Sequence, residues 1–270
     1  MLEADKVFAG SIPENYDRYM VPLIFEAYAA DIAQRAALLS PGAVLETAAG
    51  SGVVTRALAP KLPPGASYTV TDLNQPMVDY AASRQPSDTR ITWRQADALA
   101  LPFEDAGFDL VCCQFGAMFF PNRTSGYREA RRVLKPGGHF LFSVWDRIED
   151  NVFANDVTNA LATIFPKDPP RFLARTPHGY HDTALIRSEL EVAGFSRVAI
   201  ETKAEQSRAS SPRVPAVAYC QGTLLRNEIE ARDAGALESA TDYAASVIAD
   251  RHGSGAVAAK IQAHVIMAVA

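Results

Sequence analysis

Short apolar runs alternate with helix-patterned stretches between about Ala43 and Trp145. Runs such as AVLET, SYTVTD and FDLVCCQ have the length of strands, whereas VTRALAPKL, PMVDYAASR and GYREARRVL have a helical pattern. Parallel strands need long crossover connections, and helices usually supply them. The alternation therefore predicts βαβ units and a parallel sheet, with strands one to five inside this stretch.

Further elements are predicted on both sides of this region. Apolar residues at helical spacing indicate an amphipathic helix over 21–39 and another over 153–164. Asp182 and Gly194 have the residue types that cap the two ends of a helix. A sixth strand is expected in SRVAIET, a helical Ala-rich stretch over 204–256, and a last strand in QAHVIMAVA. Pro136-Gly137-Gly138 predicts a turn after Leu134.

Composition excludes several function classes. The chain has 270 residues, 48% of them hydrophobic, which is enough for a substantial core. A formal charge of −5 argues against broad binding of nucleic acid or of an anionic membrane. Adjacent Cys112 and Cys113, with one further cysteine, form neither a disulfide framework nor a metal-ligand pattern. No apolar run suits a signal peptide or a membrane span, so a cytoplasmic protein without a metal is expected.

The segment from Val44 to Gly52 is a strand that runs into a turn of small residues and then a helix. Small residues let the backbone approach a ligand closely, and amides at a helix N-terminus donate to polar groups. A tight structural corner would have the same composition. This turn is therefore a candidate ligand site that needs a second observation.

Asp72, at the end of the second apolar run, provides that observation. An acidic residue there can accept hydrogen bonds from both hydroxyls of a ribose, so a nucleoside cofactor is predicted. Thr55 stands where the third glycine of the dinucleotide pattern G-x-G-x-x-G would be, which disfavours nicotinamide or flavin. Asp97, after strand three, suits an acceptor for adenine N6 or, equally well, a turn aspartate.

Taken in order, the segments VLETAAGSG, TVTD, QADALALPF, GFDLV and RRVLKPGG resemble class I S-adenosylmethionine-dependent methyltransferases. The similarity is to the type 11 family, which includes quinone-biosynthesis-type enzymes, and it covers about residues 8–145. It implies an α/β fold with a Rossmann-like, seven-stranded, mostly parallel sheet in the order 3-2-1-4-5-7-6. It also implies an antiparallel strand seven, helices on both faces and a helical substrate cover.

The resemblance also implies a site for S-adenosylmethionine, with S-adenosylhomocysteine as product. The methionine part lies beside Glu46 and the Ala48–Gly52 turn, including Gly50. The remaining cofactor contacts implied are Asp72 for the ribose, Leu73 and Met77 for ribose and adenine, Asp97 and Ala98 for the adenine edge, Gln114 and Phe115 at the end of strand four, and Tyr16 in a lead segment, Ile12–Tyr19, that folds over the cofactor. Family members usually have glycine in place of Ala48, and a methyl group is expected to fit if φ stays negative.

Aromatic residues follow strands four and five, at the edge where open α/β sheets bind ligands. Phe115, Phe119, Phe120 and Trp145 suit a wall around a cationic sulfonium, although core packing is the alternative. His178 and His181 flank Tyr180 in the connection before strand six. They suit substrate contact or proton transfer, with loop hydrogen bonding as the alternative.

The predicted function is methyl transfer from S-adenosylmethionine to an O, N or C atom of a small molecule. The predicted domains are an N-terminal lid and helix (1–40), the cofactor-binding core (41–146) and the rest of the sheet (147–270), with substrate-cover insertions at about 147–181 and 204–256. Two alternatives stay open: a nicotinamide-dependent oxidoreductase and a non-catalytic nucleoside-binding regulatory module. Equilibrium binding of NAD against S-adenosylmethionine separates the first alternative from a methyltransferase.

Overall fold

A computed structural model describes residues 16–270 of the chain. Its strands form a seven-stranded sheet in the order β3-β2-β1-β4-β5-β7-β6, with helices on both faces. The predicted α/β, Rossmann-like fold class is therefore confirmed. The strands are β1 Ala43–Glu46, β2 Ser67–Asp72, β3 Ile91–Gln95, β4 Phe108–Gln114, β5 Leu134–Trp145, β6 Arg197–Ala209 and β7 Val257–Val269.

Helices connect the strands and fill the long segment between β6 and β7. They are α1 Glu26–Leu38, α2 Val53–Leu58, α3 Gln75–Arg84, α4 Arg123–Val133, α5 Val152–Ile164, α6 Phe172–Arg175, α7 Thr183–Ala193, α8 Arg213–Gln221, α9 Leu225–Arg232 and α10 Leu237–His252. A π-helical segment, Tyr16–Phe25, leads directly into α1. Within residues 16–270, no helix is both long and apolar enough to cross a membrane.

The central strands β2, β1, β4 and β5 pair in parallel, and β3 extends the parallel set at one edge. On β1, Glu46 aligns with Val70 of β2 on one side and with Cys112 of β4 on the other. The ends of three neighbouring strands therefore meet at one edge of the sheet. Parallel strands of this kind are covered on both faces, in agreement with the complete burial of Val44 and Leu45.

Strand β7 runs antiparallel to β5. Ala270 and the Gly137-Gly138 pair exchange main-chain hydrogen bonds of 3.2 and 2.9 Å, whereas the Asp146 amide donates to the Gln262 carbonyl at 3.1 Å. Later residues of β5 thus pair with earlier residues of β7, as in antiparallel strands. The antiparallel strand implied by the resemblance is present.

The chain divides into two compact units. The first contains residues up to Glu26, Trp145–Tyr180 and Ala204–Gln262, and helices α5, α8 and α10 pack together within it. The second contains Ala27–Val144, His181–Lys203 and Ala263–Ala270, with most of the sheet. The predicted lid-and-helix domain falls partly on residues 1–15, outside the described part of the chain, and the role of the later insertions as a substrate cover stays a prediction.

Three local predictions are wrong. Pro136-Gly137-Gly138 does not separate α4 from β5 by a turn but forms a bulge inside β5, where pairing with β4 breaks after Leu134 and resumes at His139. Gly137 permits this bulge by adopting φ +77°. Strand β6 continues to Ala209, into the stretch predicted to be helical. Within residues 16–270, helical structure is already present at Tyr16, five residues before the predicted helix start at residue 21.

Candidate functional site

The turn after β1 is held by its neighbours on both sides. The Thr47 amide donates to the Cys112 carbonyl at 2.9 Å, and the Ala49 amide donates to the Thr71 carbonyl at 3.0 Å. Between these anchors and α2, Ala48, Gly50 and Gly52 adopt φ of +53°, +57° and +80°. This backbone requires small residues, which is the physical reason for the composition of the segment. The condition of a negative φ, under which a methyl group was expected to fit at position 48, is therefore not met.

The two glycines of the turn have different surroundings. A Cβ at Gly52 would lie 3.0 Å from the Ala81 Cβ, so this glycine permits close packing of α2 on α3. A Cβ at Gly50 would have no described atom within 4 Å. The space above Gly50 is therefore open, and a ligand can approach the backbone there.

Glu46, the last residue of β1, is buried. Its Oε2 accepts hydrogen bonds from Thr55 Oγ1 on α2, at 2.7 Å, and from the Tyr68 hydroxyl on β2. Burial raises the pKa of the Glu46 carboxyl to about 7, against the lowering effect of these two hydroxyls and of Arg56. The Glu46 carboxyl therefore ties the strand end to the helix that follows the turn.

Asp72 is buried at the end of β2 and faces the same turn. Its Oδ2 accepts from the Gly50 amide at 2.9 Å, and its Oδ1 accepts from the Asn74 amide at 2.9 Å. Burial raises the pKa of this carboxyl, against these amide hydrogen bonds. A carboxylate oxygen accepts more than one hydrogen bond, so Asp72 keeps the capacity to accept from a ligand hydroxyl.

Leu73 and Met77 follow Asp72 into α3. Leu73 is 45% exposed, which is high for a leucine, whereas Met77 is buried. The Gln95 side chain of β3 donates to the Leu73 carbonyl at 2.8 Å and so fixes the start of this connection. Leu73 therefore offers apolar surface beside Asp72.

Asp97 lies just beyond β3 and is exposed. Its Oδ1 accepts from the Leu99 amide at 2.9 Å, and its carbonyl accepts from the Ala100 amide at 3.0 Å. The alternative interpretation as a turn aspartate is thus present in the structure, and adenine contact stays a prediction. The neighbouring Ala98 is half-buried.

At the end of β4, Gln114 is half-buried and Phe115 is buried with φ +53°. The Phe115 ring meets Tyr28 of α1 edge-on, with ring centroids 5.4 Å apart. Phe119 and Phe120, in and after the short 3₁₀ helix Ala117–Phe119, are half-buried.

The Phe120 ring packs against α4. It lies where a side chain at Gly126 would be, because a Cβ there would come within 2.6 Å of the ring. The core-packing alternative for Phe120 is therefore supported.

Four rings of the first unit form a row. Tyr16 stacks on Phe25 with centroids 5.0 Å apart, Phe25 lies 6.0 Å from Trp145, and Trp145 lies 6.0 Å from His178. His178 Nδ1 is 2.8 Å from the Asp146 carbonyl. The row thus brings together three residues that the sequence analysis selected for different reasons: Tyr16, Trp145 and His178.

The other two residues of the histidine group differ in their surroundings. Tyr180 is buried in the first unit. His181 belongs to the second unit and is half-buried just before α7. The structure therefore does not place the two histidines in one compact unit, although both predicted roles stay predictions.

Comparison with known proteins identifies the family. Residues 45–142 match the methyltransferase domain family model. Over 200 residues the chain is 32% identical to the ubiquinone/menaquinone biosynthesis C-methyltransferase UbiE of Burkholderia mallei, which covers 70% of this chain and 82% of that enzyme. The chain belongs to the S-adenosylmethionine-dependent methyltransferases. The predicted enzyme class is therefore confirmed.

Solved structures agree with this methyltransferase in fold. A methyltransferase candidate from Bacillus halodurans has a TM-score of 0.56 at 22% identity, and covers 90% of this chain and 98% of its own. The YcgJ protein from Bacillus subtilis has a TM-score of 0.57 at 18% identity, with the same coverage.

The polar groups around the turn of the methyltransferase fit a nucleoside cofactor. Ser51 Oγ is buried and has no hydrogen-bond partner among residues 16–270, and it follows Gly50, above which the space is open. A buried hydroxyl that lacks a partner can be satisfied by a bound polar group. The Asp72 carboxyl borders the same turn. The residues present therefore fit S-adenosylmethionine, whose use the family implies.

Sequence reasoning missed the partners of several residues in the methyltransferase. Thr55 and Tyr68 hold Glu46, and the only hint was that Thr55 occupies the position of the third glycine. Two further histidines have partners that no sequence pattern indicated: His252 Nε2 is 2.7 Å from Asp156 Oδ2, and His264 Nδ1 is 2.9 Å from Thr202 Oγ1.

Proposed function

We propose that this methyltransferase transfers the methyl group of S-adenosylmethionine to a small-molecule acceptor. One observation carries the proposal: open space above Gly50, in a left-handed turn that the buried Asp72 carboxyl borders. This arrangement leaves room for a nucleoside and offers an acceptor for its ribose hydroxyls. The Burkholderia relatives are C-methyltransferases, which favours a carbon atom of the acceptor over oxygen or nitrogen.

Each predicted cofactor residue has a role in this proposal. Asp72 accepts from the ribose hydroxyls, and the exposed Leu73 with Met77 packs against ribose and adenine. The other proposed contacts are Glu46, Ala48 and Gly50 for the methionine part, Asp97 and Ala98 for the adenine edge, and Gln114 and Phe115 at the β4 end. Tyr16 is proposed as a further cofactor contact.

The chain orients the cofactor and the acceptor and excludes water from them. S-adenosylmethionine, when bound, supplies an electrophilic methyl carbon, to which the acceptor's nucleophilic atom can bond as the carbon–sulfur bond breaks and S-adenosylhomocysteine leaves. Alignment of two reactants contributes on the order of 7–11 kcal/mol. Buried Phe115 at the β4 end excludes water, and aromatic faces favour a cation. Phe119, Phe120, Trp145 and Tyr180 are the proposed acceptor contacts, with Phe119 and Phe120 half-buried at the β4 end.

His178 is the better placed of the two candidate bases. Its Nδ1 lies 2.8 Å from the Asp146 carbonyl, which accepts a hydrogen bond when Nδ1 carries the proton. In the neutral ring this leaves the lone pair on Nε2, the form that accepts a proton. His181 is also proposed as a base, although no comparable hydrogen bond orients its ring within residues 16–270.

Incubation with a methyl-labelled donor and a cell extract tests the function. We expect one labelled small molecule, and carbon-13 NMR of the isolated product then tells whether the methyl group is on carbon, nitrogen or oxygen. The Asp72→Ala variant is the control, because its labelling should fall with cofactor affinity. Calorimetry with NAD and S-adenosylhomocysteine completes the test, and binding of NAD alone would contradict the proposal.

A further inference from the structure

The loop that carries Asp97 and Ala98 is clamped by one arginine of α4. Arg132 Nη2 donates to the Leu101 carbonyl at 2.8 Å, and Arg132 Nη1 donates to the Phe103 carbonyl at 2.8 Å. The planar guanidinium has several donors in a fixed fork, so one side chain can hold two carbonyls of an irregular loop at once.

Glu129, one helical turn earlier, completes the clamp. It forms two hydrogen bonds of 2.8 Å with Arg132, from Nε to Oε1 and from Nη2 to Oε2. Glu129 Oε2 also accepts from the Leu101 amide at 2.8 Å. The Arg132 side chain lowers the pKa of the Glu129 carboxyl, which therefore stays charged. The pair thus engages both the amide and the carbonyl of Leu101.

The other end of this loop is joined to the site. The Ala96 amide donates to the Asp72 carbonyl at 3.0 Å, so Asp97 begins directly after an anchor on β2. At the far end, the Gly107 amide donates to the Val133 carbonyl at 2.8 Å. Between these anchors, Arg132 and Glu129 hold the middle of the loop through Leu101 and Phe103.

We propose that Arg132 and Glu129 are positioning residues that fix the Asp97–Ala98 loop and so set how the enzyme recognises the adenine edge. The inference rests on the proposed cofactor site. It goes further because it assigns discrimination between nucleobases to Arg132 and Glu129. These two residues of α4 contact the later part of the loop, at Leu101 and Phe103, rather than Asp97–Ala98 itself.

Nothing in this proposal requires Arg132 to contact the cofactor. A guanidinium that holds Leu101 and Phe103 limits where the preceding residues can lie, because Leu101 is only four residues after Asp97. An Asp97 carboxylate at a fixed place accepts from an amine at adenine N6 and repels a carbonyl oxygen there. Loss of the clamp should therefore reduce discrimination between the two groups.

The test compares S-adenosylhomocysteine with S-inosylhomocysteine, in which a carbonyl oxygen replaces the 6-amino group. Calorimetry on the parent enzyme should show a preference of roughly 10–100-fold for the adenine compound, the range expected for a charged hydrogen bond. Arg132→Gln should narrow this preference by about fivefold, a coupling typical of residues in one network. Glu129→Gln should narrow it in the same direction.

Arg131→Gln is the matched control. Arg131 is the adjacent residue, is exposed, and donates to the Gly194 carbonyl at 2.7 Å rather than to the loop. The control should keep the parent preference. If Arg132→Gln does not fold, Arg132→Lys replaces it, since lysine keeps the charge but not the fork.

Three results would overturn the inference or its basis. If folded Arg132→Gln still prefers S-adenosylhomocysteine as strongly as the parent enzyme does, even with a lower affinity for both compounds, Arg132 only stabilises the protein. Equal binding of both compounds by the parent enzyme would contradict recognition of the adenine amine by Asp97, yet leave the methyltransferase proposal intact. Failure of the parent enzyme to bind S-adenosylhomocysteine would overturn the proposed cofactor site itself.

Discussion

The methyl group of Ala48 fills the space that a side chain at Gly116 would need. A Cβ at Gly116 would lie 2.5 Å from the Ala48 Cβ and 2.8 Å from Cys113 Sγ. Ala48 itself adopts φ +53°, a region that costs an alanine about 1–2 kcal/mol. The turn after β1 and the end of β4 are therefore matched in size, and the alanine at position 48 depends on the glycine at position 116.

Gly116→Ala should destabilise the protein by about 1–3 kcal/mol through overpacking. Its φ of −98° is acceptable for alanine, so the cost comes from Ala48 and Cys113. Ala48→Gly should recover part of the loss, because it removes the closer of the two contacts. Urea unfolding of both single variants and the double variant measures the coupling, and strictly additive free energies would refute the size match.

Asp72→Ala should weaken binding of S-adenosylhomocysteine by roughly 1–3 kcal/mol, the penalty for unmatched polar groups at a desolvated site. Calorimetry measures this change. Asp79→Ala is the control, since Asp79 is an exposed aspartate on α3 whose carboxylate accepts a hydrogen bond from the nearby Gln75 side chain. Unfolding curves are needed too, because Asp72 also holds the Gly50 amide. If the parent and Asp72→Ala bind S-adenosylhomocysteine equally well, Asp72 does not contact the cofactor.

Glu46→Gln should change how stability depends on pH. Burial raises the pKa of Glu46 from 4.5 to about 7, so between these values the folded protein holds a proton that the unfolded chain releases. The free energy of unfolding of the parent should therefore fall as pH rises from about 4.5 to 7, by about 3 kcal/mol relative to Glu46→Gln, and then level off.

Glutamine is the suitable replacement because its side-chain oxygen still accepts from Thr55 and Tyr68. Urea unfolding of both proteins at several pH values gives the difference directly. Parallel pH curves for parent and variant would mean that the Glu46 carboxyl does not titrate between folded and unfolded states in this range.

His178→Gln should lower turnover by about 10²–10⁴-fold with cofactor affinity nearly unchanged, if His178 is the base. Glutamine keeps a hydrogen-bonding group but does not accept a proton near neutral pH. His181→Gln is the comparison, and we expect a smaller effect because, in the described part of the chain, the His181 ring lacks an orienting contact like the one between His178 Nδ1 and the Asp146 carbonyl. A change of only a few-fold in both variants, once the acceptor is known, would assign proton removal to another group or to an acceptor already ionised.

Local sequence signals were sufficient where one residue decides a backbone feature. Asp182 caps α7, with its Oδ1 accepting from the Ala184 amide at 2.8 Å, and Gly194 ends the helix with φ +97°. The order of the sheet followed from the motifs in sequence order, because that order is a property of the family. The predicted turn of small residues after β1 was recognised for the same local reason.

Contacts between distant residues were beyond such reasoning. His252 meets Asp156 only because α10 packs against α5, and no spacing rule connects the two positions. Strand β6 extends to Ala209 although its last residues alternate too weakly to identify a strand. Sequence reasoning assigned no contact to Arg132, and its hydrogen bonds to the Phe103 and Leu101 carbonyls depend on the loop after β3 lying beside α4.

The position of β7 has a consequence for how the chain reaches its native state. Strand β5 ends at Trp145, and the strand that fills the place between β5 and β6 begins only at Val257. Until that strand is made, β5 and β6 each have an open edge, and such edges are templates for aggregation. Closing the sheet through so distant a segment is a slow, high-contact-order step. Nascent or thermally opened chains should therefore be most vulnerable to aggregation along β5 and β6. A chaperone that assists folding of this chain should bind these two strands first.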